Sequence, residues 1–264
     1  MTSSSECNPI AIELKDVEML FDLDVYRPST LKQSLHNFIN LGFWRKKTPP
    51  LFQALKNLNL KIHEGEKVGL IGINGSGKTT LCRVLTGLYS PTRGKAKVSH
   101  LPRALFSIGT AIQPELSGRE NVEYLVRLLF PFRKRYRDII EEILEFSELG
   151  EFADVPFEKY SNGMRTRLCL SLISSRPDKI LILDEIFNGA DGYFARKISE
   201  RFLQIIEKSG TVLFVSHSLP LVELICERTI VLHKGEIVYD GKSADAIKYY
   251  RENVLKGLEN QVEV

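Results

Sequence analysis

The amino-acid sequence predicts an α/β fold whose central sheet is mostly parallel and covered by helices. Three observations carry this prediction. Short continuous apolar runs at Lys67 to Ile71, Lys179 to Leu183 and Thr211 to Val215 alternate with helical stretches, the pattern of strands buried on both faces. The first run passes through the turn Gly72-Ile73-Asn74-Gly75-Ser76-Gly77-Lys78-Thr79 into an apolar helix from Thr80 to Thr86. The second ends in Asp184-Glu185, and the third runs into Ser216-His217. Ligands of such sheets sit at the carboxyl ends of the strands, so these three groups can converge on one crevice.

Composition narrows the function classes. With 43 % hydrophobic and 26 % charged residues in 264, the chain is an ordinary globular one with enough apolar material for a sizeable core. A net charge of +3 is too small to point to nucleic acid or an anionic membrane as the main partner. Cys7, Cys82, Cys169 and Cys226 show no metal spacing, and the last three fall in apolar helical patterns as small core residues. Nothing suggests disulfides, which favours a reducing compartment. The N-terminus lacks the basic start and apolar run of a signal peptide. No stretch approaches the ~20 apolar residues of a membrane span. If the chain serves a membrane process, another chain must supply the spans.

Taken in order, residues 1–8 form a polar tip, expected to be disordered, and one domain is expected over 9–257, followed by a polar tail at 258–264. Ile10 to Leu14 alternates as an edge strand does. Thr30 to Phe43 is helical in pattern, with Leu31, Leu35, Phe38 and Leu41 on one face and Thr30 as N-cap. Phe43-Trp44-Arg45-Lys46-Lys47 and Pro49-Pro50 end it. Leu51 to Ile62 begins without periodicity, but Leu58, Leu60 and Ile62 alternate as in a strand. A turn at Pro91 to Gly94 precedes a short strand from Lys95 to Ser99. Helices are expected at Arg119 to Leu129, Asp138 to Glu148 and Arg165 to Ser174, so that about 112–175 forms a helical insert. The basic run Phe132 to Arg137 between the first two reads as a solvated face. Helices follow at Tyr193 to Lys208 and Leu219 to Glu227, then a hairpin around Lys234-Gly235 and a last helix from Ser243 to Val254.

The glycine-rich turn fits G-x-x-x-x-G-K-[ST], a phosphate-binding loop, and has the strand before and helix after that the motif requires. Its glycines let backbone N–H groups approach an anion, and the following helix adds positive potential. Lys78 can reach the β- and γ-phosphates and Thr79 can offer its hydroxyl to Mg²⁺. A glycine turn that merely joins strand to helix is the plain alternative; pattern and context together favour phosphate. Asp184 closes its strand as a Mg²⁺-holding aspartate does, and Glu185 beside it can act as general base toward water. Alone these would be two solvated acids; a phosphate loop in the same chain weighs against that. His217 alone would be a core or capping histidine, and its strand-end position makes it a γ-phosphate contact.

Tyr160-Ser161-Asn162-Gly163-Met164-Arg165 resembles the signature of the ATP-binding-cassette family, usually S-G-G-Q, at a helix start. With the phosphate loop, Asp184, Asp191 as the D-loop aspartate and His217 as the switch histidine, the motifs stand in the family's order over about Ile12 to Tyr249. The resemblance implies a P-loop NTPase fold with an antiparallel β part on the N-terminal side and a helical subdomain. It implies ATP contacts from Gly72, Asn74, Gly75, Ser76, Gly77, Lys78, Thr79 and Thr80. Phe21 (Tyr26 less well) would stack on adenine. Ser161 and Gly163 would close on the γ-phosphate held by a partner protomer, and Asp191 belongs with them. Catalysis would fall to Glu185, His217 and Lys78, and Mg²⁺ to Thr79, Asp184 and Gln113. Two departures stand out: Asn162 and Met164 replace the commoner glycine and glutamine, and Gln113 in Gly109 to Asn121 is an imperfect match to the family's Q-loop glutamine.

The stretches 109–121, 160–165 and 184–191 look like those of ATPases that export capsule, O-antigen and teichoic acid. The resemblance then implies a homodimer that sandwiches two ATP on the cytoplasmic face of the plasma membrane. A separate permease dimer would move a lipid-linked glycan, with no nucleic-acid partner and no C-terminal carbohydrate-binding domain in this chain. The competing readings are another exported cargo, such as a lipid or drug, a non-transport cassette ATPase, and a scaffold that binds nucleotide without hydrolysis. Phe43 to Lys47 either ends a helix packed on the sheet edge or touches membrane or permease.

Overall fold

The computed structural model describes residues 8–22, 51–104, 111–130, 135–184 and 192–256. The helix expected from Thr30 and the aromatic-basic run to Lys47 lie outside these, as do Tyr26, Glu185 and Asp191. Among the described residues two sheets and seven α-helices form the molecule.

The first sheet is antiparallel. Its long strands β1 (Ile10–Asp22) and β2 (Leu51–His63) pair along their length, and β4 (Arg93–Val98) lies on the other edge of β1. Both long strands exceed the sequence expectation, for one reason. Buried residues on β1 run Ile12, Leu14, Val17, Met19, and on β2 Leu55, Leu58, Leu60, Ile62. Each series contains one step of three where a strand needs two. The irregular steps sit at Asp16 (φ 49) and Asn57 (φ 45), and the register shifts on either side of the Val17–Leu58 pair. These are compensating β-bulges: the extra residue on one strand is matched a step later on the other, and the same face stays buried. The Asp16 backbone N–H donates to Asn59 Oδ1 at 3.0 Å and Asn59 Nδ2 donates to Asp16 Oδ1 at 3.0 Å, which fixes the bulge.

The second sheet has the order β5-β6-β7-β3-β8-β9. Here β5 is Arg103–Ala104, β6 Ile180–Asp184, β7 Thr211–Val215, β3 Lys67–Ile71, β8 Arg228–His233 and β9 Glu236–Lys242. All pairs are parallel except the β8–β9 hairpin. The continuous apolar runs are explained by two cores. Leu181, Leu183, Val212 and Phe214 point into one, and Ile180, Ile182, Leu213 and Val215 into the other. The second core also holds Ile12, Leu55 and Leu81, so it fills the space between the two sheets around helix α1 (Lys78–Leu85).

The first core is the helical side. Helices α2 (Gly118–Leu129), α3 (Arg137–Ser147) and α4 (Asn162–Ile173) contribute Leu125, Ile143 and Leu168 to it. Helix α5 (Gly192–Lys208) contributes Phe194, Ile198 and Phe202. Each such side chain adds about 1.5–3 kcal/mol of burial. Helices α6 (Leu219–Ile225) and α7 (Ser243–Tyr249) complete the layer; a π-helical stretch over Tyr250–Leu255 continues α7. No described helix is long and apolar enough to cross a membrane. Cys82, Cys169 and Cys226 are free thiols; burial pushes all three up, Cys169 to about 11 and Cys226 to about 12, so none is a thiolate near neutral pH.

Candidate functional site

The phosphate loop follows the fully buried end of β3. One cross-strand row sets its neighbours: Leu70 pairs with Val215, and Val215 pairs with Asp184. The ends of β3, β7 and β6 are therefore level. Asp184 stands two strands away from the loop, with Ser216-His217 leaving the strand between.

Close backbone contacts hold the loop on the other side. A Cβ on Gly72 would lie 2.2 Å from Leu232 O and 2.6 Å from Ser76 Oγ, so only glycine fits there. Gly77, the N-cap of α1, has φ 107, a conformation that side chains rarely adopt. The turn of the β8–β9 hairpin reaches the loop: Gly235 N–H donates to Ser76 O at 2.9 Å, and Lys56 N–H donates to Gly235 O at 2.8 Å. Replacement of Gly72 by alanine is expected to cost about 1–3 kcal/mol through this overpacking. Urea unfolding would detect it as a lower midpoint at unchanged slope.

A cavity of about 350 Å³ opens at the loop, lined by Phe52, Ala54, residues 74–80 and Asp184. Lys78 is buried, and its ammonium donates to Gly72 O at 2.8 Å and Ile73 O at 3.0 Å. Thr79 is exposed to the cavity and Asp184 is half-buried. Ser76 Oγ is buried and has no hydrogen-bond partner among the described residues. The expected loop residues Asn74, Gly75, Ser76, Gly77, Lys78, Thr79 and Thr80 thus line one cavity, and Gly72 underlies it. A cation, a ring of backbone amides and a helix start make an anion site. The hydroxyl of Thr79 and the carboxylate of Asp184 are the oxygen donors that Mg²⁺ prefers, so the residues present fit a triphosphate with that ion.

Other expected site residues lie elsewhere. His217 is exposed beyond β7 and is not in the cavity lining. Gln113 is exposed on a loop packed against residues 155–158, also away from the lining. Phe21 packs edge-on against Tyr89, ring centroids 5.7 Å apart, and the aromatic that lines the cavity is Phe52, 52 % exposed. Sequence reading missed Phe52 because the bulge at Asn57 hides the first half of β2. Ser161 and Gly163 open α4: Ser161 Oγ accepts the Met164 N–H at 3.3 Å, and a Cβ on Gly163 would meet nothing nearer than Ser161 Oγ at 3.9 Å. Both face open space and neither lines the cavity of its own chain.

A glycine loop between a buried parallel strand and a helix, with a buried lysine and an aspartate two strands away, defines a P-loop protein. Its fold matches the dimeric post-hydrolysis state of an ATP-binding cassette bound to ADP and Pi, at a TM-score of 0.64 and 24 % identity over 88 % of this chain and 98 % of that one. The chain belongs to the ABC transporter family, whose model matches residues 55–188. It is 35 % identical to the O-antigen export system ATP-binding protein RfbB of Myxococcus xanthus, over 92 % of this chain and 56 % of that protein. It is 37 % identical to the teichoic acids export ATP-binding protein TagH of Enterococcus faecalis, over 76 % and 45 %. With TagH of Staphylococcus saprophyticus the identity is 36 % over 86 % and 84 %. The chain therefore spans about half the length of the first two relatives.

Proposed function

We propose that this chain is the ATP-hydrolysing subunit of a transporter that exports a lipid-linked polysaccharide. The observation that carries the reading is the identity of 35–37 % to O-antigen and teichoic acid export proteins along most of the chain. Two copies would form a homodimer at the cytoplasmic face of the plasma membrane, on a permease dimer. The loop amides, Thr80 and Lys78 would grip the phosphates, and Thr79 and Asp184 would hold Mg²⁺. That ion supplies charge neutralisation at the phosphate oxygens when bound. Glu185 would take a proton from the attacking water, with His217 at the γ-phosphate and Gln113 near the ion once the site is closed. The exposed start of α4 suits the role of second anion site: Ser161 and Gly163, with Asp191, would complete the partner's nucleotide pocket.

Adenine would stack on Phe52 rather than on Phe21, because Phe52 borders the loop cavity and Phe21 is committed to Tyr89. Loss of such a ring costs about 1–3 kcal/mol of stacking. Phe52→Ala is therefore expected to weaken ATP about tenfold or more in calorimetry, with Phe21→Ala changing affinity much less; the reverse order would return the role to Phe21.

Purification from native membranes in detergent, with ATP and Glu185→Gln, tests the cargo. Recovery of a polytopic permease carrying a lipid-linked glycan is the expected result. In the complex with Glu185 intact, ATP turnover that rises with a lipid or drug and not with glycan would establish the other cargo. Recovery with ribosomes or DNA would replace transport altogether.

A further inference from the structure

Asn121, on the first turn of α2, is fully buried and lies outside the nucleotide cavity. Its carboxamide is spent on one loop. Oδ1 accepts the Gln113 N–H at 2.8 Å, and Nδ2 faces the carbonyls of Gln113 at 2.9 Å, Leu116 at 3.1 Å and Ser117 at 3.0 Å. Such a carboxamide shapes the loop as a strand neighbour would, because buried amide groups must find partners. The outer edge of the same loop is joined to the chain that leads into Ser161. Phe157 N–H donates to Leu116 O at 2.9 Å, Glu158 N–H to Pro114 O at 2.9 Å, and Gly118 N–H to Val155 O at 3.3 Å. Ser117 and Pro156 form an antiparallel bridge. From there Arg165 of α4 donates to Glu158 O at 2.8 Å and lies over the Phe157 ring. Tyr160, buried against Gly118, donates its hydroxyl to Phe152 O at 2.6 Å.

We propose that Asn121 is a positioning residue that makes the Gln113 loop and the approach to Ser161 one rigid piece, so that a displacement of either moves the other. The importance of this coupling for turnover rests on the function proposed above; the mechanical unit itself does not. Its consequence is that the second anion site at Ser161 takes its position from the loop that leads into α2, through backbone hydrogen bonds and not through the sheet.

Asn121→Asp keeps the shape of the side chain but turns an oxygen toward three carbonyls. Asn121→Ala, which introduces no charge, guards against a variant that fails to fold. Amide hydrogen exchange on the nucleotide-free protein is the direct test. Both variants are expected to speed exchange in 113–118 and also at Phe157 and Glu158, with β3 and β7 unchanged. Faster exchange confined to 113–118 would overturn the proposal, and so would unchanged exchange throughout. In a second readout, ATP affinity of the isolated protomer should stay within about twofold, while ATP-driven dimerisation in a Glu185→Gln background should need about tenfold more protein, the equivalent of one buried hydrogen bond. Equal losses in both would mark a merely structural defect and count against positioning. A protein that never dimerises with ATP, even with Asn121 intact, would strike the proposed function and leave the exchange result standing.

Discussion

Glu185→Gln is expected to lower ATP turnover about 10²- to 10⁴-fold, the range that a positioned general base contributes, while ATP remains bound. The amide keeps the size of the carboxylate and loses its ability to accept the proton of water. Lys78, the loop amides, Thr79 and Asp184 are untouched by the change, so the grip on the triphosphate survives. With hydrolysis blocked, the closed pair of protomers should persist. Single-turnover hydrolysis, together with size-exclusion chromatography in ATP and Mg²⁺, reads both effects. Turnover at the unmodified rate would remove Glu185 from the role of base, and a monomer that retains ATP would remove the sandwich.

Lys78→Ala should act one step earlier, on binding itself. The ammonium is buried and holds the carbonyls of Gly72 and Ile73, and from the same position it can meet phosphate oxygens. Charge-assisted hydrogen bonds of this kind are worth about 1.5–3 kcal/mol, so affinity should fall about 10- to 100-fold in calorimetry. The substitution also strands two loop carbonyls that had a donor, and a lower urea midpoint should accompany the loss. Unchanged affinity would contradict the phosphate-loop assignment, since no other side chain in the cavity lining carries a positive charge.

Much of the fold was legible because its parallel strands obey a simple rule. Ile180 to Leu183 and Thr211 to Val215 are apolar at successive positions because both faces meet a core, and no polar surface interrupts the pattern. Helix α2 was expected from Arg119 to Leu129, and the structure adds the capping box of Ser117 and Glu120 that fixes its start. The antiparallel sheet was less so. The bulges at Asp16 and Asn57 each insert one residue into a period of two, and a sequence alternation broken by one step looks like an ending. What continues the strand is the partner across the ladder, which has the compensating irregularity.

The candidate site divides in the same way. Residues 72–80 and Asp184 could be found from the chain alone, because backbone geometry and local charge demand those residue types at those spacings. Phe52 could not: only the pairing of β1 with β2 carries it to the mouth of the loop. Nor could Asn121, which in sequence is one more polar residue on an amphipathic helix and in space is buried with its hydrogen bonds directed at one loop. Sequence by itself determined the phosphate loop, the parallel strands and the resemblance to a cassette, since these rest on local sterics and short-range periodicity. Tertiary structure decided which aromatic borders the cavity and which loops are joined by hydrogen bonds, since those depend on contacts between residues far apart in the chain.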